Sequence, residues 1–322
     1  MMNKKHKEIV IDPSIGIIVV FIILVIIFSL LSSNFLTLST WIGILNIASE
    51  LATVTIVVAF LMISGEFDLS VGAVYAMSGM LLAYSLNKGI NGVFSMLIIL
   101  VFAFIVGTVN GLIATKVKIP SFIATLGMMM SLRGFLLIAS GGFPIGYKGD
   151  SILPNILNGK CIGDLRISTV WLLLFLILFT IVLDKTKYGN WVYASGGNPK
   201  IAKTMGVEVA KVKRINFILT AVFAAIAGGF SFGRFGMSYP TLGEGLELEA
   251  IASTVIGGCY MAGGYGSVLG AFFGALTIAS LRVGLVLAGA PAYWYKAFIG
   301  IILIIGMIVN KRVMKNLLKI EV

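Results

Sequence analysis

The sequence predicts an all-α, polytopic membrane protein with about ten transmembrane helices and both termini in the cytoplasm. Of the 322 residues, 59% are hydrophobic and 11% are charged, and the mean hydropathy is +1.05. Soluble domains average roughly a quarter charged residues, so this chain carries more apolar surface than one aqueous core can bury. We therefore predict a single transmembrane domain over residues 1–322.

Apolar segments of the length that a bilayer requires, roughly 20 residues, recur along the chain. Candidate spans lie at 15–33, 41–63, 69–86, 94–115, 121–140, 168–183, 215–235, 247–262, 266–288 and 293–309. The first span has no small-residue cleavage site after it, so we interpret it as an uncleaved helix. Glycine-rich turns interrupt the pairs 41–63/69–86 and 247–262/266–288, so one member of each pair could be a half-helix.

The positive charges predict the orientation. With the N-terminus inside, ten crossings place 16 of the 24 Lys and Arg residues in inner segments, as the positive-inside rule requires. The longest inner segment is 184–214, and the longest outer loop is 141–167. We expect that outer loop either to receive a delivery protein or to cover the pore.

The composition argues against catalysis and metal binding. The only histidine is His6, and the cysteines Cys161 and Cys259 lack CxxC spacing. The chain contains no P-loop motif for ATP. The net charge of +11 is assigned to cytoplasmic loops, so no nucleic-acid partner is expected. We predict a transport protein with no catalytic residues, no bound metal and no cofactor of its own.

A short basic helix is predicted inside segment 184–214, in the stretch GGNPKIAKTMGV. Asn198 is a favoured N-cap residue, Pro199 suits the first helical position, and Gly206 suits the left-handed position after the helix. Ile201, Thr204 and Met205 fall on one face. Such a helix could lie on lipid headgroups or dock a soluble partner.

Polar residues within the spans are candidates for a transport pathway, because they are costly to bury in lipid. The candidates are Asn46, Glu50, Asn110 and Arg133. A Glu50–Arg133 ion pair would relieve the cost of both charges. The asparagines could equally hold helices together. Asp68 or Ser70 is expected to cap the following helix.

Four stretches in order resemble the permeases of simple-sugar ABC importers, the ribose-type branch. GGNPKIAKTMGV resembles their cytoplasmic coupling segment. GEFDLSVG (65–72), IPSFIATLGMMMSLRG (119–134) and ELEAIASTVIGGCYMAGGYGSVLG (247–270) resemble three further family motifs. The chain departs from the family at Glu66, where glycine is usual, and at Cys259, where threonine is common.

The resemblance implies a bacterial inner-membrane permease that imports a ribose-, xylose- or galactose-like sugar or a sugar-like autoinducer. Its implied partners are an ABC ATPase that binds ATP and Mg²⁺, a second permease subunit (identical or related), an extracytoplasmic sugar-binding protein and membrane lipid. The implied coupling-helix residues are Gly196, Gly197, Asn198, Pro199, Ile201, Ala202, Met205 and Gly206.

Three alternatives remain open at this point. An ion-coupled secondary transporter would work alone and would need a protonatable or cation-binding group at mid-membrane. An ABC permease of the same architecture could carry nucleosides or branched-chain amino acids. A membrane-embedded enzyme is disfavoured by the lack of a catalytic constellation.

The charge pattern makes a direct topological prediction. In a variant without Cys161 and Cys259, single cysteines are placed at Asp150 and Lys203. Because the two positions fall on opposite sides of the membrane, an impermeant thiol reagent on intact cells should label position 150 and spare position 203. Labelling of both, or the reverse pattern, would refute ten crossings.

Overall fold

The structure is a computed structural model that describes residues 13–291 and 293–318. Its helices are α1 (Pro13–Leu31), α2 (Leu38–Ile63), α3 (Val71–Asn87), α4 (Gly92–Leu112), α5 (Ser121–Ser140), α6 (Leu153–Asn158), α7 (Ile167–Lys185), α8 (Lys187–Gly197), α9 (Pro199–Thr204), α10 (Val209–Phe235), α11 (Leu246–Ile256), α12 (Val268–Leu287) and α13 (Trp294–Leu318). A π-helical turn, Ile113–Val117, continues α4. The short strands are β1 (Ile145–Gly146), β2 (Lys160–Ile162), β3 (Leu165–Arg166) and β4 (Met237–Ser238).

The all-α, polytopic class is confirmed. Within the described residues, six helices are long and apolar enough to cross a membrane, and the shorter apolar helices are Gly16–Leu31, Val71–Asn87 and Trp294–Gly306. Each of the ten predicted spans contains helix. Ten crossings and cytoplasmic termini remain predictions, and residues 1–12, with His6, and 319–322 lie outside the described parts.

The predicted span 247–262 is shorter than expected. Only α11 is helical there, and its 11 residues extend about 16 Å, roughly half of a 30 Å hydrocarbon core. The chain turns at Gly257 and Gly258 before α12 begins. This segment is therefore a half-helix, which was one of the open possibilities.

Helix α2 occupies the centre of the fold, because every residue from Leu51 to Ile63 is buried. It packs against α10 and α12, and α10 in turn packs against α3 and α4. Small residues permit these close contacts. A Cβ atom at Gly228 of α10, for example, would lie 2.1 Å from the Tyr75 carbonyl oxygen of α3.

The first irregular segment between two core helices, residues 64–70, connects α2 to α3. Its backbone pairs with side chains, because buried N–H groups outside a helix need other hydrogen-bond partners. Phe67 N–H donates to Ser121 Oγ (3.1 Å) and Leu69 N–H to Thr125 Oγ1 (3.0 Å). Ser121 and Thr125 are one helical turn apart, so the segment runs alongside the first turns of α5.

The expected cap of α3 takes a different form. Ser70 occupies the N-cap position, but its side chain makes no capping bond. Instead, Asp68 Oδ1 accepts hydrogen bonds from the backbone N–H (2.8 Å) and hydroxyl (2.6 Å) of Ser70. Thr220 donates to Asp68 Oδ2 at 3.2 Å, and Asn110 Nδ2 donates to Ser70 Oγ at 2.9 Å. This buried cluster ties segment 64–70 to α4 and α10.

The second such segment, residues 236–245, connects α10 to α11. Its strand β4 pairs with β1 of the outer loop, with Ile145 opposite Ser238. Arg133 Nη1 of α5 donates to the carbonyl oxygens of Pro240 and Leu242, each at 2.7 Å. Helix α5 therefore supplies side-chain partners to both irregular segments.

The outer loop 141–167 is partly built into the fold. Asn158, at the end of α6, is fully buried. Its Nδ2 donates to the Phe230 carbonyl oxygen (2.7 Å), and its Oδ1 accepts from Ser168 Oγ (2.7 Å). Asn46 Nδ2 also donates to the Asp164 carbonyl oxygen at 3.0 Å. These bonds attach the loop to α2, α7 and α10.

A substitution in α5 tests the support of segment 64–70. Thr125→Val keeps the side-chain shape but removes the acceptor for Leu69 N–H, leaving that buried donor unpaired. We expect a loss of about 1–3 kcal/mol in the free energy of unfolding, measured by thermal or denaturant unfolding in detergent. Ser131→Ala is the control, because Ser131 is exposed on the same helix and bonds only within it. Equal stability of both variants would contradict this role.

Candidate functional site

The predicted short helix in segment 184–214 is present as α9. Asn198 Oδ1 accepts a hydrogen bond from Ile201 N–H at 3.1 Å, and Pro199 occupies the first helical position. Gly206 has a φ of +85°, and the N–H of Val207 donates to the Ala202 carbonyl oxygen at 3.0 Å. Both ends of the helix are therefore fixed by local hydrogen bonds, to the Asn198 side chain at the start and between backbone groups at the end.

The apolar face of α9 points away from the rest of the chain. Ile201 is 60% exposed and Met205, at the C-cap, is 78% exposed, whereas Ala202 is 4% exposed and anchors the helix. Lys200 and Lys203 are exposed beside this face. The arrangement presents two large apolar side chains on a rigid, positively charged turn.

Gly196 and Gly197 are not part of this helix, although they were assigned to it. They end α8, a separate helix that sequence reasoning missed. Thr186 caps α8 by accepting a hydrogen bond from Gly189 N–H at 3.3 Å. A threonine just before a helical stretch is a recognised start signal, so the signal was present in the sequence.

A polar cavity of about 310 Å³ lies between α2, α3, α10, α11, α12, α13 and segment 236–245. Its volume is at the lower end for ligand pockets, roughly 300–1,000 Å³. Glu50 on its wall lies halfway along the 26-residue α2. The charged and aromatic lining residues include Glu50, Tyr75, Arg234, Tyr239, Glu244, Glu249, Arg282 and Tyr295.

Two ion pairs face this cavity. Arg282 Nη2 lies 2.7 Å from Glu249 Oε1, and Arg234 Nη1 lies 3.5 Å from Glu50 Oε1. Tyr75 donates its hydroxyl to Glu50 Oε2 at 2.7 Å, and the Arg282 guanidinium lies 4.4 Å from the centre of the Tyr295 ring. With its charges largely paired, the cavity suits a neutral ligand that carries several hydroxyl groups.

The hypothesised Glu50–Arg133 pair is wrong. Glu50 contacts Arg234 and Tyr75, while Arg133 bonds to backbone carbonyls of segment 236–245. Asn46 holds the outer loop through the Asp164 carbonyl oxygen and the Arg166 N–H. Asn110 bonds to Ser70. Of the four pathway candidates, Glu50 is therefore the one on the cavity wall.

Most of the cavity residues were missed from the sequence. Arg234, Glu249 and Arg282 lie within predicted spans, and the cost of ionisable groups in lipid is the same signal that singled out Glu50. Tyr75, Tyr239 and Tyr295 gave no comparable signal. Tyrosines are common in membrane proteins, and their convergence depends on the tertiary fold.

Comparison with known proteins gives consistent matches. The family described as "Branched-chain amino acid transport system / permease component" matches residues 40–307. The ribose import permease protein of Bacillus subtilis (strain 168) is 32% identical over 293 residues, covering 90% of each chain. That of Escherichia coli (strain K12) is 31% identical over 298 residues, covering 92% of each chain.

The autoinducer 2 import system permease protein of Photorhabdus luminescens is 32% identical over 289 residues, covering 88% of this chain and 85% of the relative. No solved structure matches the chain. The matched range contains α9, both irregular segments and the cavity residues. Its apolar helices identify the chain as a multi-pass inner-membrane protein. It belongs to the family of ABC-importer permeases that is described as branched-chain amino acid transport system permease components, and within that family to the ribose-type branch.

Proposed function

We propose that this chain is the pore-forming subunit of a bacterial importer that moves a simple sugar inward, driven by ATP hydrolysis on a separate ATPase subunit. The observation that carries the proposal is the exposure of Ile201 and Met205 on a short helix capped at both ends. A capped helix resists fraying, so it can receive and pass on force from a docked partner.

The docking step follows from the shape and charge of α9. Ile201 and Met205 would enter an apolar groove of the ATPase, while Lys200 and Lys203 remain at the solvated rim. Buried apolar anchors dominate interface energies, and rim charges contribute less. ATP and Mg²⁺ would be bound by the ATPase, and this chain would sense them only through the movement of the groove.

The sugar would pass the cavity between α2 and α12. Carboxylates and guanidinium groups supply acceptors and donors for hydroxyls, and the rings of Tyr75, Tyr239 and Tyr295 supply apolar faces. The two ribose import permeases and the autoinducer 2 import permease among the relatives support a ribose-like sugar or a sugar-like autoinducer. Xylose- and galactose-like sugars are related candidates. A second permease subunit and an extracytoplasmic binding protein would complete the assembly.

The family description favours one other cargo, a branched-chain amino acid. To bind, the carboxylate and ammonium groups of such a zwitterion would have to break the Arg282–Glu249 and Arg234–Glu50 ion pairs and take the place of one partner in each. A neutral sugar can bond to those groups without separating them. Binding of candidate sugars and amino acids to the partner binding protein distinguishes the two cargoes.

An α9 substitution tests ATPase docking. Met205→Asp would place a carboxylate in the apolar groove, and an unpaired charge desolvated at an interface costs about 2–5 kcal/mol. Because 1.4 kcal/mol corresponds to tenfold in affinity, ATPase binding should fall by roughly two orders of magnitude. The measurement is co-purification of the ATPase with each variant in detergent, together with the amount of permease in the membrane.

Lys203→Gln is the matched control, two residues away on the same exposed turn. It removes a solvated charge, which contributes about 0–1 kcal/mol, so ATPase binding should be nearly unchanged. Both variants should insert normally, because α9 lies outside the apolar spans. Equal losses for the two variants, or no loss for Met205→Asp, would mean that α9 lies on the membrane surface instead.

A further inference from the structure

Three chain segments meet directly behind α9, and we call their meeting point the glycine junction. It consists of residues 63–65 at the end of α2, residues 196–197 at the end of α8, and residues 263–264 in the turn between α11 and α12. Gly264 N–H donates to the Ile63 carbonyl oxygen at 2.7 Å. The junction therefore joins the segment that carries α9 to two turns of the transmembrane core.

The segments touch backbone to backbone. A Cβ atom at Gly196 would lie 1.9 Å from the Ile63 carbonyl oxygen and 2.7 Å from Gly264 N. A Cβ atom at Gly263 would lie 2.9 Å from Gly65 Cα and 3.0 Å from Gly196 Cα. Because no flexible side chain lies between the segments, a displacement of one must move the others or separate them.

Hydrogen bonds around the junction strengthen the connection. Tyr193 of α8 donates its hydroxyl to the Gly266 carbonyl oxygen at 2.9 Å. Tyr188 donates to Asn216 Oδ1 at 2.7 Å, and Asn216 Nδ2 donates to the Phe60 carbonyl oxygen at 3.1 Å. The phenol of Tyr188 is protonated at neutral pH, as tyrosines ordinarily are, and burial raises its pKa further.

An ion pair completes the connection on the α10 side. Lys213 Nζ lies 2.7 Å from Glu66 Oε1, and both side chains are 16% exposed. The residue directly after the junction is thereby bonded to the first turns of α10.

Two helices that lead to the junction, α2 and α12, also wall the cavity. Along α2, Ile63 is 13 residues from Glu50, about 20 Å at 1.5 Å per residue. Along α12, Val268 is 14 residues from Arg282, about 21 Å. Helix α11 ends at Ile256 and carries Glu249. Continuous helices of this length can carry a displacement from the junction to both ion pairs.

We propose that the glycine junction, with Gly196 as its positioning residue, transmits the displacement of α9 to the cavity-wall helices α2, α11 and α12. This inference rests on the proposed ATP-driven function. A merely structural junction would affect folding and abundance. A transmitting junction affects the amount of sugar moved for each ATP hydrolysed. If the three segments of the junction separate, α9 and the cavity-wall helices would move independently of each other.

The test uses the complete transporter in proteoliposomes, with sugar uptake and ATP hydrolysis measured together. Gly196→Ala inserts a methyl group against the Ile63 carbonyl and forces the segments apart. We expect uptake per ATP to fall by about tenfold, within the range of roughly 5- to 150-fold that is typical of coupling between sites. The ATPase should still co-purify, because α9 is unchanged.

Two further glycines provide graded comparisons. A Cβ atom at the adjacent Gly197 would lie 3.6 Å from Gly264 Cα, an ordinary contact, so Gly197→Ala should give a clearly smaller defect than Gly196→Ala. Gly43, at the opposite end of α2, has nothing within 4 Å of an added Cβ, and Gly43→Ala should couple like the wild type. Equal coupling ratios for Gly196→Ala and Gly43→Ala would overturn the proposal.

A milder variant covers the case in which Gly196→Ala does not fold. Tyr193→Phe keeps the ring and removes the hydroxyl that donates to the Gly266 carbonyl oxygen, and it should lower uptake per ATP by roughly 2- to 10-fold. An unchanged ratio in this variant would also contradict the proposal. The wild-type complex is the reference throughout. Absence of ATP-driven uptake in the wild type refutes the proposed function, whereas normal coupling in the variants refutes the junction alone.

Discussion

The fold depends on hydrogen-bond partners for backbone groups that leave helical geometry among its core helices. Segments 64–70 and 236–245 would each leave buried N–H or C=O groups unpaired if no side chain reached them. Helix α5 prevents this, with Ser121 and Thr125 accepting from one segment and Arg133 donating to the other. One helix thereby permits two breaks in the helical core.

These breaks determine where a polar cavity can form. A continuous helix in place of segment 236–245 would fill the space with side chains packed against α3. The irregular backbone instead leaves room in which the pairs Glu50–Arg234 and Glu249–Arg282 face one another.

The features that were predicted correctly from the sequence are those that depend on interactions between residues close together in the chain. The caps of α9 follow from Asn198, Pro199 and Gly206 alone, since each acts within a few residues of its own position. The apolar spans follow from composition. The prediction of a Glu50–Arg133 pair was wrong because such a pair depends on how α2 and α5 are rotated relative to each other. The sequence of neither helix determines that rotation by itself. Arg133 instead donates hydrogen bonds to backbone carbonyl groups of the non-helical segment 236–245, and sequence patterns do not reveal partners of this kind.

The cavity and α9 are joined by elements whose contacts are entirely tertiary, which explains why the junction was not predicted. Gly196 is separated from Gly263 and Gly264 by more than sixty residues of chain, and their close approach depends on the absence of side chains at one point in space. The family motifs mark the turns at which these glycines lie, but they do not show that the turns touch.

Movement of the cavity in response to nucleotide is the most direct measure of coupling across this structure. Thr241 is exposed on the cavity rim, and Thr241→Cys, in a variant without Cys161 and Cys259, reports its accessibility to an impermeant thiol reagent. In proteoliposomes with the ATPase, trapping the nucleotide-bound state should change the labelling rate by about tenfold. Equal labelling rates with and without nucleotide would contradict a mechanical connection between α9 and the cavity.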